Sequence, residues 1–187
     1  MSCEPGDYLE KLDLENLHNN ATKNERVIEL PIAKWFLERF DNVLEVGAVT
    51  PYYYRVVPID HVVIDISDPQ ATIKADIFDA NLLGLNVLSI STVEHFGNGD
   101  YGLKKDKTLI KKFFDLIPEL NNYCITIPLG YNKIADKVVF DRDDVTYYKK
   151  YNHDCWKTVG IDEARTLKYN DPFKWANGLA LITNARF

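Results

Sequence analysis

The chain has 187 residues, the length of one ordinary domain. Its hydrophobic content of 46% and charged content of 27% are typical of a globular protein that needs no metal or disulfide to complete its core. The formal net charge is −6 and no basic stripe runs along the chain, so nucleic acid is not expected as a partner.

The three cysteines, Cys3, Cys124 and Cys155, are an odd number without CxxC spacing. This pattern predicts a reducing compartment and no structural zinc. The sequence has no run of 18 apolar residues, and its first residues lack the features of a secretory leader. We therefore expect a cytoplasmic protein that does not insert into a membrane.

Residues 1–24 are polar and predict an N-terminal arm or short helix, whereas residues 25–187 contain no linker or repeat and predict a single domain. From Glu25 to Phe40 the apolar residues follow helical spacing. Pro31 interrupts this stretch and predicts either a kinked helix or a helix that begins near Pro31.

Short, continuous apolar runs follow, at Val43–Val46, His61–Ile66, Asn86–Ile90 and Tyr123–Ile127. Continuous rather than alternating apolarity predicts strands covered on both faces, as in a parallel sheet between helices. An amphipathic helix is predicted between the last two runs, at Leu109–Ile117.

The last third of the chain predicts strands at Val138–Phe140, Val145–Tyr148 and Leu179–Thr183, and a short helix at Asp162–Leu167. Strands this close together predict an antiparallel edge. The expected fold is therefore α/β, with a doubly wound, mostly parallel seven-stranded sheet and an antiparallel edge.

Ligands of open parallel sheets bind beyond the carboxyl ends of the strands, so the residues after each run are the candidate site residues. The first run carries Glu45 and ends at Gly47, where the backbone can approach a ligand. A turn that needs one glycine explains Gly47 equally well. One glycine also falls short of a dinucleotide fingerprint, which disfavours a nicotinamide-dependent oxidoreductase.

The second run ends at Asp65, about 20 residues after the first, where an acid can accept hydrogen bonds from ribose hydroxyls. Asp76 and Ile77 then combine an acid with an apolar side chain, which suits an adenine. A helix cap or turn is the alternative role for each aspartate. Their order along the chain favours a nucleoside site.

The run at Asn86–Ile90 leads into Ser91, Glu94 and His95 and then into a loop with three glycines. Titratable groups at the end of a buried strand, beside a flexible loop, are typical of an active site.

Together these motifs resemble the class I S-adenosylmethionine-dependent methyltransferases, in particular small methyltransferase-like proteins associated with surface-glycan modification. The resemblance spans residues 24–183 and rests on five stretches: Asn24–Pro31, Leu44–Gly47, Ser91–His95, Ile127–Asn132 and Tyr169–Asn177. It implies a Rossmann-like methyltransferase fold with S-adenosylmethionine as the cofactor.

The resemblance also implies roles for individual residues. Glu45 and Gly47 would lie near the methionine portion of the cofactor, Asp65 would hold the ribose hydroxyls, Asp76 and Ile77 would contact the adenine, and Ser91 would complete the cofactor site.

O-methyl transfer to a small-molecule or glycan acceptor is the expected reaction. His95 is the candidate base because its ordinary pKa of about 6.5 lets it accept a proton at neutral pH. Glu94 is the alternative base, or the group that orients the histidine. A loop histidine bonded to backbone is the competing interpretation of His95.

Tyr131 and Asn132 are the candidate acceptor-binding residues, with a simple turn set by Pro128 and Gly130 as the alternative. No metal ligands are assigned. Trp156 and Trp175 are expected in packing or in a subunit contact of a homo-oligomer.

One departure from the methyltransferase pattern favours a second hypothesis. Gly47 is followed by Ala48, Val49, Thr50 and Pro51, where the family has further glycines. A catalytically weak or inactive methyltransferase-like binding or assembly module is therefore the alternative function.

Overall fold

The computed structural model describes residues 12–153 and 155–186. Within these ranges eight strands form one sheet in the order β3-β2-β1-β4-β5-β8-β6-β7. The strands are β1 Val43–Val46, β2 Val62–Asp65, β3 Ile73–Lys74, β4 Asn86–Ile90, β5 Asn122–Pro128, β6 Val145–Asn152, β7 Cys155–Val159 and β8 Gly178–Thr183.

The first five strands are parallel, which confirms the prediction made from the four apolar runs that became β1, β2, β4 and β5. All four residues of β1 are buried, and so are four of the five in β4. Their order, 3-2-1-4-5, is that of a Rossmann-like sheet and reverses direction between β1 and β4. A ligand crevice is expected outside the carboxyl ends of these two strands.

The antiparallel edge is confirmed. The last strand, β8, pairs antiparallel with both β5 and β6, and β6 pairs antiparallel with β7. This part of the sheet carries no crossover helix between β6 and β7, because the two strands form a hairpin.

Helices cover both faces of the sheet. On one face, α1 (Arg26–Arg39) packs Ile28 and Phe36 against Leu88 and Leu181. On the other face, α2 (Leu109–Leu116) and α3 (Lys133–Phe140) pack against β1, β4 and β5. A fourth helix, α4 (Ile161–Ala164), overlaps the short helix predicted at Asp162–Leu167.

The prediction of a seven-stranded, doubly wound sheet is wrong in two respects. The described residues contain eight strands, and the connections within residues 47–85, all of which are described, contain no α-helix. Only single 3₁₀ turns occur there, at Thr50–Tyr53 and Ile77–Asp79. The connection from β2 to β3, residues 66–72, is shorter than the dozen or so residues that a crossover helix needs.

Two further predictions need correction. Val138–Phe140 ends α3 instead of forming a strand, because Asn132 caps the helix and the buried side chains of Ala135 and Val139, four residues apart, face the core. The helix α1 begins at Arg26 and continues through the buried Pro31, so it does not start near the proline.

The predicted N-terminal arm is described only from residue 12 onward. Leu14 and Ala21 pack against Leu30 of α1 and against Tyr53 and Val57, so this segment lies on the body of the protein. The division of the chain into an arm at residues 1–24 and a domain at residues 25–187 stays a prediction.

Two of the cysteines fall within the described ranges. Cys124 is free and buried in β5, and Cys155 is buried in β7. Trp156 is buried in the core, as a packing role predicts. No helix among the described residues is long and apolar enough to cross a membrane.

Candidate functional site

Two cavities of similar size lie along the carboxyl ends of β1, β2 and β4. The β2-side cavity, of about 400 Å³, is lined by Gly47, Asp76, Ile77, Phe78 and Leu109 among others. The β4-side cavity, of about 420 Å³, is lined by residues that include Glu25, Arg26, Ser91, Glu94, His95 and Tyr131. Asp65, Ile66, Thr92, Phe96 and Leu103 line both cavities, so the two spaces meet at the end of β2.

Asp76 and Ile77 lie together in the β2-side cavity, as predicted. The Asp76 carboxylate accepts a hydrogen bond from the Phe78 backbone N–H at 3.0 Å and begins the 3₁₀ turn, which is the capping role named as the alternative. Ile77 is buried, and the Phe78 ring meets Phe96 edge-on with 5.8 Å between ring centroids. The cavity therefore has apolar walls and a carboxylate beside them.

Asp65 lies where the two cavities meet. Its Oδ1 accepts hydrogen bonds from the backbone N–H groups of Ser67 and Asp68, both at 2.8 Å, and its Oδ2 lies 3.4 Å from the Ala48 backbone nitrogen. Asp65 thus shapes the loop after β2. A carboxylate has about four acceptor positions, so Asp65 retains capacity for a ligand hydroxyl.

Gly47 brings the end of β1 close to the end of β4. Its φ is +86°, and a Cβ at this position would lie 2.1 Å from Thr92 Oγ1. Only glycine fits both the backbone conformation and the space. Gly47 therefore keeps the crevice between the two strands narrow.

Glu45 is not brought to either cavity. Its fully buried Oε1 accepts hydrogen bonds from the backbone N–H groups of Val49 and Thr50 at 3.0 and 2.8 Å. Its Oε2 accepts from the Thr50 hydroxyl and lies 2.8 Å from His61 Nε2. Glu45 holds the loop after β1 from inside, which differs from the role predicted beside the cofactor.

His95 is paired with a carboxylate and not with backbone. Its Nδ1 lies 2.6 Å from Asp100 Oδ2, which also accepts hydrogen bonds from Asn98 Nδ2 at 3.0 Å and from the Tyr131 hydroxyl at 3.1 Å. Partial burial opposes ionisation of Asp100, but these hydrogen bonds prevail and lower its pKa. Asp100 is thus an anion that orients the imidazole.

Glu94 lies near the other nitrogen of the imidazole. Its Oε1 is 3.8 Å from His95 Nε2, too long for a hydrogen bond, and its buried Oε2 has no hydrogen-bond partner among residues 12–153 and 155–186. Burial raises the pKa of Glu94 well above its ordinary value, which favours the neutral acid. The histidine is therefore oriented by Asp100 and not by Glu94.

The N-terminal turn of α1, which belongs to the motif at Asn24–Pro31, contributes an ionic cluster to the site. Glu29 is fully buried, and its Oε1 accepts hydrogen bonds from the hydroxyls of Ser91 and Thr126 at 2.5 and 2.6 Å. Its Oε2 pairs with the guanidinium of Arg26. Two charged residues on the apolar part of a helix are a signal for such a cluster, because buried charges need partners.

Tyr131 lies in the β4-side cavity with its ring edge-on to His95, 4.9 Å between ring centroids. Asn132 lines neither cavity. Its Oδ1 caps α3 at the Ile134 backbone N–H, 2.9 Å away, and its Nδ2 donates to the Glu94 carbonyl at 2.7 Å. Asn132 therefore positions the turn that carries Glu94 and His95, and the geometry does not support its predicted contact with the acceptor.

Further aromatic side chains complete the wall of the β4-side cavity. Tyr169 meets Tyr131 edge-on at 5.1 Å, Tyr101 meets His95 edge-on at 5.3 Å, and Trp175 lines the same space. Tyr169 and Trp175 belong to the motif at Tyr169–Asn177, which was the sequence signal available for them. Across the described ranges, no group of three or more His, Cys, Asp or Glu side chains is arranged to hold a metal ion.

No protein-family model and no curated protein match this chain. One similar solved structure is a chain from the structure of the Pnkp1/Rnl/Hen1 RNA repair complex, with 12% sequence identity and a TM-score of 0.38. The match covers 75% of this chain and 37% of that chain, so this chain spans little more than a third of its neighbour's length. A likeness this low assigns neither family nor function.

Proposed function

We propose that this protein is an S-adenosylmethionine-dependent methyltransferase that O-methylates a small or glycan-like acceptor. The proposal rests on one observation: an imidazole oriented by a carboxylate, His95 with Asp100, lines a cavity that meets a second cavity of suitable size at Asp65. The layout matches a reaction between two ligands that enter from neighbouring spaces at the end of a sheet.

The residues present fit the cofactor. The β2-side cavity offers Ile77 and Phe78 as apolar walls for a purine, and its volume lies within the ordinary range of ligand sites. Asp65 would accept hydrogen bonds from the ribose hydroxyls, and Arg26 and Ser91 line the space where the amino-acid portion would lie. When bound, the cofactor supplies an electrophilic methyl group on a sulfonium.

His95 acts as the general base in this proposal. With Nδ1–H donating to Asp100, the unprotonated Nε2 is the nitrogen that accepts the proton of the acceptor hydroxyl. Such a base typically contributes about 10²- to 10⁴-fold to the rate. In the protein without ligands, burial raises the pKa of Glu94 and favours its neutral form.

A catalytically weak or inactive binding or assembly module is the second candidate. The observation in its favour is the loop after β1, where the Glu45 carboxylate takes the backbone N–H groups of Val49 and Thr50. These donors are therefore not offered to a ligand, in contrast to a loop of glycines whose backbone faces outward.

Calorimetric titration with S-adenosylmethionine and S-adenosylhomocysteine tests the proposal. We expect micromolar binding to the wild type, loss of binding in Asp65→Ala, and retention in His95→Ala. Asp115→Ala, on the exposed surface of α2, serves as the matched control. Circular dichroism checks that each variant is folded.

If neither compound binds the folded wild-type protein, the methyltransferase proposal is wrong and the binding-module alternative is favoured. If binding survives in Asp65→Ala, the cofactor does not use the end of β2, and the assignment of the two cavities fails. If both expectations hold, loss of methyl transfer in His95→Ala then tests the base.

A further inference from the structure

The β4-side cavity carries more negative than positive side chains. Four carboxyl groups line it, those of Glu25, Asp65, Asp68 and Glu94, and among the described lining residues Arg26 contributes one guanidinium. The charge of Arg26 is already balanced by its ion pair with the fully buried Glu29. Among the described lining residues, acidic groups therefore outnumber basic ones.

The same cavity carries a row of aromatic rings. Tyr101, His95, Tyr131 and Tyr169 follow one another in edge-to-face contacts with centroids 4.9 to 5.3 Å apart. Tyrosine rings attract cations through their negative faces. Burial first, and then acidic neighbours that include Glu94, raise the pKa of Tyr169 to about 12, in keeping with a negative potential.

One oxygen of the Glu94 carboxyl group can still form a hydrogen bond with a ligand in this cavity. Glu94 is 2% exposed, and its Oε2 has no hydrogen-bond partner among the described residues. An unpartnered buried oxygen is costly, so a ligand that donates a hydrogen bond there is favoured. A hydroxyl would satisfy the oxygen alone, whereas a primary ammonium group would satisfy both the oxygen and the acidic lining.

We infer that the acceptor carries a primary ammonium group beside its reactive hydroxyl, as an amino sugar does, and that Glu94 and the tyrosine rings of the β4-side cavity hold this group. The inference rests on the proposed function and names the acceptor class for the same site. The sulfonium of the cofactor has no N–H to donate to Glu94 Oε2, and the α-ammonium group of the cofactor belongs to its amino-acid portion, which the proposed function places beside Arg26 and Ser91.

Binding releases a proton. Burial favours the neutral form of Glu94, and an adjacent ammonium group favours the carboxylate, so the proton of Glu94 passes to solvent while the ammonium keeps its own protons. The titratable and charged groups that face Glu94 are Glu25, Arg26, Glu29, His95, Tyr101, Tyr131 and Tyr169.

Calorimetric titration of the cofactor-free protein with D-glucosamine and with D-glucose tests the inference. The two sugars differ only in an ammonium against a hydroxyl, and at about pH 6 the amine is protonated. We expect glucosamine to bind at least about tenfold more tightly than glucose. The heat of binding should also depend on the buffer, because a proton is released.

Single substitutions distinguish binding at the ammonium site from general attraction between the acidic protein and a cationic sugar. Glu94→Gln should reduce the preference to about twofold or less, and Tyr131→Leu should reduce it as well, since each removes one part of the cation site. Glu38→Gln, on the exposed surface of α1, should leave the preference unchanged. Tyr131→Leu serves as the second test should Glu94→Gln fail to fold.

Equal binding of the two sugars, absence of glucosamine binding, or a preference that survives in Glu94→Gln would overturn the inference. Titration with S-adenosylhomocysteine keeps the two proposals apart. Binding of this compound without a preference for the amine leaves the methyltransferase proposal intact and removes the ammonium site. A preference for glucosamine that depends on Glu94, in a protein that does not bind S-adenosylhomocysteine, supports the ammonium site and contradicts the methyltransferase proposal.

Discussion

Asp100 Oδ2 lies 2.6 Å from His95 Nδ1, and this contact leaves Nε2 as the imidazole nitrogen that is available to a ligand in the cavity. The two residues are five positions apart, and the left-handed glycines Gly97 and Gly99 fold the loop that joins them. Asp100 is therefore the residue on which the orientation of His95 depends.

Replacing this carboxylate tests the orientation directly. Asp100→Asn should convert the single Nδ1–H tautomer of His95 into a mixture, because an amide can donate as well as accept. Nitrogen chemical shifts of the imidazole measure the tautomer without any acceptor. In a methyl-transfer assay the same variant should lower kcat by about 10²- to 10⁴-fold with little change in KM.

Asp115→Asn is the matched control, because Asp115 lies on the exposed surface of α2, pairs with Lys111 and lines neither cavity. A wild-type tautomer that persists in Asp100→Asn would contradict the role of Asp100.

Alanine substitutions at Gly47 and Gly84 measure two separate costs to stability, the strain of a positive φ and the steric clash of an added Cβ. Gly47 and Gly84 both have positive φ, +86° and +72°, but a Cβ at Gly47 would collide with Thr92 while a Cβ at Gly84 meets open space. Gly84→Ala should cost about 1 kcal/mol of unfolding free energy, from φ alone. Gly47→Ala should cost about 2 kcal/mol more, because the turn must also move.

Urea denaturation of both variants measures the difference. Equal losses of stability would show that the contact between Gly47 and Thr92 is not tight.

Glu45 is predicted to be a stability residue. Glu45→Gln places an amide nitrogen beside His61 Nε2 and the Thr50 hydroxyl, where the fully buried carboxylate of Glu45 accepts the hydrogen bond of that hydroxyl. We expect a loss of about 3 kcal/mol in the free energy of unfolding. Glu38→Gln, on the exposed surface of α1, should change it by less than about 0.5 kcal/mol.

A Glu45→Gln variant as stable as the wild type would contradict the role of Glu45 in stabilising the loop after β1.

The buried Glu94 predicts a pH dependence of stability. Burial raises its folded pKa well above the unfolded value of 4.5, so the folded state holds a proton that the unfolded state releases. This contribution is fully present below the unfolded pKa and is lost as pH rises through the folded pKa. Glu94→Gln lacks it, so its stability relative to the wild type should increase as pH rises from 4.5.

Urea denaturation of the two proteins over this pH range measures the effect. Two stability curves that stay parallel would mean that Glu94 ionises normally in the folded protein.

Strands covered on both faces were the most predictable elements of the fold. β1 and β4 begin and end where their apolar runs do, because a strand covered on both faces consists mostly of apolar residues. The two-residue β3 is exposed and has no such signal. The end of α3 was predicted as a strand because a short apolar run has the same appearance in a buried strand and in a helix.

The candidate site was predictable where residues directly follow a strand. Asp65, Ser91 and His95 lie at the carboxyl edge because parallel strands end on the same side of a sheet. Glu45 was predicted to lie beside the cofactor, but its side chain turns back to its own loop. The direction of a buried side chain depends on neighbours such as His61, which are distant in the sequence.

The sequence by itself determined the α/β class, the parallel direction of the central strands and the edge at which the polar residues gather, because these follow from local apolar patterns and chain direction. Only the tertiary structure decided which charges meet: Glu29 with Ser91 and Thr126, 62 and 97 positions away, and His95 with Asp100. Hydrogen bonds between distant side chains depend on distances of a few tenths of an ångström, which no local pattern encodes.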